Sequence, residues 1–247
     1  MKINSLSYLL GLFVIVALGL TVVRYSQTPG KPFKDDDLAK LQQKQSRFPI
    51  AEYDEPDSND PKKNQLRKEK QKRHNNFKFV TSTVPEWQAE RVFISEGAMD
   101  FPALPVAQSG YILLGTVTNA EAHLSENKKN VYSEFTVYVE KVFKTAKPSI
   151  VEGSEIAVDR IGAYVKYPNG RMLLYRVASE NMPAVNDRYL FFLTTKNDQD
   201  LSILTAYAIT SNSVSPLDES PQFEELRNLT EESLIKKLRE SLATSSH

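Results

Sequence analysis

The strongest structural constraint in the sequence is an alternation of apolar and polar residues between Val131 and Phe143. One set of alternate positions is apolar or small: Val131, Ser133, Phe135, Val137, Val139 and Phe143. The other set consists of Tyr132, Glu134, Thr136, Tyr138 and Glu140. Successive side chains of a strand point to opposite faces, so this period of two predicts a half-buried β-strand whose first set faces the core.

Similar short segments, rich in β-branched and aromatic residues, surround this strand: YILLGTV, SEIAVDRI, AYVKY, RMLLYRV, RYLFFLTT and LSILTAYAIT. Pro168-Asn169-Gly170 predicts a hairpin turn between the third and the fourth of them. The run from Arg188 to Thr194 is apolar at consecutive positions, which predicts a central strand that is buried on both faces. No long helical period interrupts these segments, so the chain is predicted to be mainly β, with a small barrel or sandwich over residues 110–217.

The segments on either side of this domain are predicted to pack against it. Residues 81–109 form a lead-in segment, and residues 218–247 carry helix signals. Ser220-Pro221 and Thr230 are both typical of helix starts. After Thr230 an apolar stripe follows at helical spacing, made of Leu234, Ile235, Leu238 and Leu242. We expect this stripe to cover part of the barrel.

Residues 1–25 have the length and composition of a membrane anchor. The run from Ile3 to Val23 carries no charge, and at 1.5 Å per residue it is about 31 Å long, which matches the hydrocarbon core of a bilayer. The alternative is a cleaved signal peptide with Ala17-Leu18-Gly19 as its small-residue site. We predict an uncleaved single-pass helix in contact with the lipid bilayer. Its N-terminus would be cytoplasmic and the following domain extracytoplasmic, as in a bacterial envelope protein.

Residues 26–80 are predicted to be a disordered, charged linker, because they show no usable hydrophobic period. Within them lies a basic run between Lys62 and Lys78. This run could contact an acidic polymer or lipid headgroups, or it could be a solvated linker. No aromatic residues interleave with its charges, and the net charge of the 247-residue chain is zero, so no nucleic-acid partner is expected.

The order of the strand-like segments resembles a known family. GTV at residues 115–117, YSEFTVYVEKVFK at 132–144, VEGSEIAV at 151–158 and RYLFFL at 188–193 look like the netrin-like and tissue-inhibitor-of-metalloproteinase domains. They also resemble a group of bacterial envelope proteins with the same strand order. The resemblance covers roughly residues 110–210 and implies an OB-like barrel. The inhibitory function does not carry over, because those inhibitors use an N-terminal cysteine and disulfides, and this chain has no cysteine.

No catalytic, metal or cofactor site is predicted. The three histidines are His74 in the linker, His123 in an expected loop between strands, and the C-terminal His247. Their positions are not spaced as metal ligands. Asp159 and Arg160 are neighbours on a predicted strand, so they point to opposite sides, and both are expected to be solvated.

The candidate partner-binding face consists of Tyr132, Glu134, Tyr138 and Glu140. Tyrosine is frequent at protein contacts, and OB-type barrels bind extended ligands across a strand face. The alternative is that the C-terminal helix or residues 84–106 cover this face. The leading hypothesis is a membrane-tethered, non-enzymatic interaction module of the cell envelope that binds a protein or polymer partner. The alternatives are an inhibitor-like or accessory domain for an envelope enzyme, and a hydrolase that relies on scattered carboxylates.

Overall fold

The computed structural model describes residues 47–56, 59–77, 80–81, 91–94, 100–146, 150–196, 200–211 and 213–245. These residues contain ten strands, two α-helices and one 3-10 helix. The strands are β1 (Ile50–Glu52), β2 (Val80–Thr81), β3 (Arg91–Ile94), β4 (Tyr111–Leu124), β5 (Val131–Thr145), β6 (Glu155–Lys166), β7 (Met172–Val177), β8 (Arg188–Lys196), β9 (Asp200–Ile209) and β10 (Val214–Pro216). The helices are α1 (Pro61–Arg73), α2 (Glu231–Thr244) and a 3-10 helix at Pro221–Leu226.

Five of the strands close into a barrel in the order β4-β5-β6-β9-β8, with β8 returning to β4. Four of the five neighbouring pairs are antiparallel. The fifth, β6 with β9, is parallel, with Val158 opposite Leu201 and Asp159 opposite Ser202. The predictions of a mainly β chain, a small β-barrel and a C-terminal helix are therefore confirmed.

Beyond the barrel, β6 continues into a second sheet. It turns at the predicted Pro168-Asn169-Gly170 hairpin, where Gly170 has φ +83°, and pairs antiparallel with β7. β1 adds in parallel to the end of β6, and β3 adds in parallel to β7. The strand β2 then pairs with β3. The long strand β6 therefore connects the barrel to this outer sheet.

The apolar core lies on both sides of the barrel wall. The interior cluster includes Leu113, Val117, Phe135, Val137, Val139, Val158, Phe191 and Leu193. A second cluster lies between the wall, the 3-10 helix and α2, and it includes Leu114, Leu190, Phe192, Phe223, Leu234 and Leu238. The strand β8 contributes alternately to the two clusters, which explains why its sequence is apolar at consecutive positions. The predicted packing of the stripe after Thr230 on the barrel is confirmed.

One residue of the β5 pattern lies on the unexpected side. Phe143 packs against the outer cluster, whereas Phe135 and Val137 face the interior. The pairing of β5 with β4 shifts by one residue between Val139 and Lys141, because Glu140 is an extra residue in the strand. Such a bulge reverses which face the following side chains occupy. The predicted shared face therefore ends at Val139.

The predicted disordered linker is corrected over its described residues, 47–56, 59–77 and 80, where the chain forms β1, which pairs with β6; α1, which contacts the barrel; and the first residue of β2. The rest of the predicted linker, and the predicted anchor at 1–25, lie outside the residues that the structure describes. Among the described residues, no helix is long and apolar enough to cross a bilayer.

Candidate functional site

The helix α1 begins and ends with local signals that do not depend on a hydrophobic core. The Asp60 side chain accepts hydrogen bonds from the backbone N–H groups of Lys62 (2.9 Å) and Lys63 (3.4 Å), and Pro61 occupies the first helical turn. Its last turn is basic, which suits the negative end of the helix dipole. None of the 13 described residues of the helix is buried. Its position on the barrel must therefore come from polar contacts.

Ion pairs at helical spacing fix α1 on the outer face of β5 and β6. The Lys70 ammonium contacts Glu134, and it lies 2.6 Å from Asp159. One turn further on, Arg73 reaches Asp200 through two nitrogens, at 2.7 and 3.0 Å. Glu134 and Asp159 are directly opposite each other in the pairing of β5 with β6, so they project side by side toward the helix.

The pair between Lys70 and Asp159 is the most enclosed of these contacts. The Asp159 side chain is almost fully buried, and that of Lys70 is largely buried. Burial acts to lower the pKa of Lys70, but the adjacent carboxylates of Asp159 and Glu134 outweigh it and raise the pKa above its usual value. The lysine therefore stays charged and neutralises a buried carboxylate. Loss of such a partner leaves an uncompensated charge, which costs far more than breaking an exposed ion pair.

Additional contacts hold the middle and the C-terminal end of α1. At its midpoint, Arg67 pairs with Glu55, which follows β1. At its C-terminal end, the buried side-chain amide of Asn130 in the β4–β5 turn donates to the carbonyl oxygens of His74 (2.8 Å) and Asn75 (3.2 Å). The barrel thus recognises this segment through both charge and backbone contacts.

Tyr132 lies at the centre of this interface. Its side chain is fully buried, and its ring is stacked on the ring of His74, with centroids 4.0 Å apart and planes at 12°. The ring of His123 approaches from another side, at 5.7 Å. The Tyr132 hydroxyl has no hydrogen-bond partner among the described residues. Burial, and then the negative charges of Asp159 and Glu134, raise its pKa, so the phenol keeps its proton.

His123 belongs to strand β4 and not to a loop, which corrects the prediction. Its Nδ1 lies 3.0 Å from a carboxylate oxygen of Glu55, and its Nε2 lies 3.6 Å from Glu121. Burial acts to raise the pKa of Glu55, but His123 and Arg67 outweigh it and lower the pKa. The two histidines that were distant in sequence therefore flank the same tyrosine.

A groove of about 510 Å³ runs between α1 and the barrel. We call it the α1 groove, and its lining consists of Asp60, Lys62, Lys63, Leu66, Arg67, Glu69, Lys70, Arg73, Glu121, His123, Tyr132, Glu134 and Asp200. Most of these side chains are charged, and the buried Tyr132 forms part of its wall. Because ten of its thirteen lining side chains carry a charge, the groove suits a charged ligand better than an apolar one.

The four residues of the predicted binding face do not form one surface. Tyr132 and Glu134 lie under α1, while Tyr138 is 43% exposed. Glu140 accepts hydrogen bonds from Thr116 (2.7 Å) and Arg188 (2.7 Å). Arg188 also forms a two-pronged pair with Glu231 at the start of α2, so Glu140 belongs to a structural network.

The cover over Tyr132 also differs from the predicted alternatives. Neither the C-terminal helix nor the described part of 84–106 supplies it: the helix stripe and Ala103 and Val106 belong to the outer cluster around Leu190 and Phe192. The cover is α1, together with Phe77, which packs with Tyr132 and Ile161. A sequence signal for this helix existed in Asp60-Pro61 and in the cations spaced three and four residues apart at Lys63, Arg67 and Lys70.

Asp159 and Arg160 are both buried, which corrects the expectation that they are solvated. They point to opposite sides, as predicted. Arg160 donates from one nitrogen to both carboxylate oxygens of Asp218, each at 2.8 Å, and from Nε to Glu180 at 3.3 Å. Burial acts to lower the pKa of Arg160, but these carboxylates raise it. This second buried charge cluster ties β6 to the segment after β10.

Comparison with known proteins gives no relative from which a function could be transferred. No protein-family model matches the chain, and no curated protein matches it significantly. Within the described residues, no group of three or more histidine, aspartate or glutamate side chains is arranged to hold a metal ion. The functional argument therefore depends on the α1 groove itself.

Proposed function

We propose that this chain is a non-enzymatic interaction module of the cell envelope, and that it binds a protein or polymer partner on the outer face of β5 and β6. Residues 1–25 would tether it to the membrane as a single-pass helix, with the barrel on the extracytoplasmic side. The barrel would be of the OB type, which is supported by its five strands and by the parallel closure of β6 with β9. The family resemblance over residues 110–210 agrees with this proposal.

The observation that carries the proposal is the α1 groove. OB-type barrels bind extended ligands across the face of their second and third strands, which correspond to β5 and β6 here. On this face the structure has a charged groove with a buried tyrosine in its wall, and the helix that covers it is attached by polar contacts. A surface that already accommodates a chain segment through side-chain recognition is suited to binding another.

An interaction role is better supported than hydrolysis. A hydrolase would need a carboxylate that can exchange protons with a substrate. Glu134 and Asp159 lie side by side, and the ammonium group of Lys70 contacts both, so each carboxylate is held in an ion pair. This arrangement suits charge recognition. An accessory or inhibitor-like role would use the same face and differs only in the identity of the partner.

Site-specific photo-crosslinking in native membranes tests this proposal. A photoreactive amino acid replaces Glu121, whose side chain is 42% exposed; it lines the α1 groove from β4 and so stays on the barrel when α1 is displaced. The control position is Val151, which is 56% exposed and lies in the turn at the opposite end of the β5–β6 pair. We expect a discrete adduct from position 121 that is missing from position 151. Identical adducts from both positions, or none from either, would contradict a binding face at the groove.

A further inference from the structure

The charge pattern of the α1 groove identifies the kind of partner that it fits. Seven of the 13 residues of α1 are lysine or arginine, and one is glutamate: the cations are Lys62, Lys63, Arg67, Lys68, Lys70, Lys72 and Arg73. The surface under the helix presents the opposite charge. The carboxylates that α1 contacts are Glu55, Glu121, Glu126, Glu134, Asp159 and Asp200.

The contacts follow one face of the helix. Lys63, Arg67 and Lys70 are spaced by four and three residues, which places them on a common stripe, and each pairs with a carboxylate outside the helix. Helices that bind in grooves use anchors at this spacing, most often apolar ones. Here the anchors are cations, so the carboxylates that α1 contacts are complementary in charge to a basic helical segment.

Two features show that α1 does not saturate the site. Tyr132 lines the groove, and its hydroxyl is buried without a hydrogen-bond partner among the described residues. In addition, about 510 Å³ of open space remains beside the helix. A buried hydroxyl without a partner is costly, and a ligand that supplies a hydrogen-bonding group to it gains what α1 does not provide.

From these observations, and on the basis of the function proposed above, we infer that the outer face of β5 and β6 binds a lysine- and arginine-rich helical segment of a partner protein, and that α1 is its internal competitor. The partner segment replaces α1 on the carboxylates of Glu134 and Asp159. A tethered segment has an effective concentration in the millimolar range, so α1 outcompetes weakly basic sequences. Only segments that bind the carboxylates more strongly displace it.

The test uses the full-length chain in lipid nanodiscs and a fluorescent synthetic peptide of residues 59–77 as the probe. In the wild-type protein the internal copy competes, so we expect weak binding. Lys70→Ala removes the central anchor of the internal copy and leaves the carboxylates in place. It should tighten binding of the peptide at least tenfold. The matched control is Lys68→Ala, which removes the same charge from an exposed position that does not line the groove, and it should leave the affinity at the wild-type value.

Three further variants in the Lys70→Ala background define the site. Glu134→Gln should reduce the affinity about tenfold, and Asp159→Asn provides a second test at the neighbouring carboxylate. Tyr132→Phe should not weaken binding of this peptide and should not lower the melting temperature, because α1 itself supplies no hydrogen bond to the hydroxyl; a weaker affinity would show that the peptide does not dock as α1 does and would contradict the competition.

Defined outcomes overturn the inference. If the peptide does not bind Lys70→Ala while amide exchange shows α1 released, the groove does not select basic helices. If a polyglutamate probe binds in preference to the peptide, the assigned charge is wrong. In either case an adduct from position 121 would still support the interaction module, so the partner chemistry can fail while the proposed function stands. If the peptide does not bind and no adduct forms, both the proposed function and the inferred partner are wrong.

Discussion

Replacement of Tyr132 by phenylalanine should stabilise the protein, although most changes in a core do the opposite. The Tyr132 ring is fully buried and stacked on His74, and phenylalanine preserves both of these features. The hydroxyl has no hydrogen-bond partner among the described residues, so folding removes it from water without replacing its hydrogen bonds. The penalty for a buried polar group in this situation is about 1–3 kcal/mol.

We therefore expect Tyr132→Phe to raise the free energy of unfolding by about 1–2 kcal/mol. For a domain of this size, 1 kcal/mol shifts the melting temperature by about 2–4 °C, so the rise should be about 2–8 °C. Urea titration followed by near-ultraviolet circular dichroism gives the free energy, and a thermal scan gives the midpoint.

Tyr207→Phe is the matched control with the opposite sign. Tyr207 is also fully buried, but its hydroxyl donates to the backbone carbonyl of Ala103. Removing this hydroxyl leaves a buried carbonyl unpaired and should cost about 1–2 kcal/mol. If Tyr132→Phe lowers stability as much as Tyr207→Phe does, the Tyr132 hydroxyl has a partner in the folded protein and the reasoning about the groove wall is wrong.

Three other perturbations test separate parts of the structure. Asp218→Asn should cost about 3–5 kcal/mol in urea unfolding, because it leaves the buried guanidinium of Arg160 short of countercharge. Gly115→Ala should cost about 1–3 kcal/mol by the same assay, since the added Cβ would lie 2.5 Å from the carbonyl oxygen of Tyr138. Raising the pH should release α1, because the pKa of Lys70 is raised in the folded protein. The stabilisation that the charged Lys70 provides is complete below the ordinary lysine pKa of about 10.4, and it is lost as the pH passes the pKa of Lys70 in the folded protein. Limited trypsin digestion of α1 would detect the release.

Each of the two substitutions has a control in the same chain. Asp54→Asn removes an exposed carboxylate that pairs with Lys128 and should change stability by less than about 1 kcal/mol. In Gly110→Ala the nearest atom to the added Cβ lies at 3.8 Å, so no clash is expected. Equal losses for Asp54→Asn and Asp218→Asn, or for the two glycine changes, would contradict the packing described for the buried positions.

The parts of the fold that the sequence predicts well are those stabilised by apolar burial. The alternation in β5 up to Val139 and the stripe at Leu234 and Leu238 reflect which side chains leave water, so their periods indicate strand and helix directly. The run from Arg188 to Thr194 also indicated its environment, because a strand with core on both faces needs no alternation.

The parts that were missed depend on contacts without a hydrophobic period. The helix α1 has no buried residue, so its charges resembled those of a solvated linker, and only the folded chain brings Lys70 to Asp159, 89 positions away. The bulge at Glu140 is likewise set by pairing with β4, and it moves Phe143 to the outer cluster. The tyrosine at the candidate site was recognised from its strand position, but its cover was not.

Amide hydrogen exchange of α1 in the full-length chain tests the central claim most directly. We expect slow exchange over residues 64–73 in the wild-type protein and in Lys70→Arg, which keeps the cation, and fast exchange in Lys70→Glu, which adds a third carboxylate beside Glu134 and Asp159. Exchange over residues 64–73 that is equally fast in all three proteins would show that α1 is not docked on the barrel, and would contradict the account of the groove.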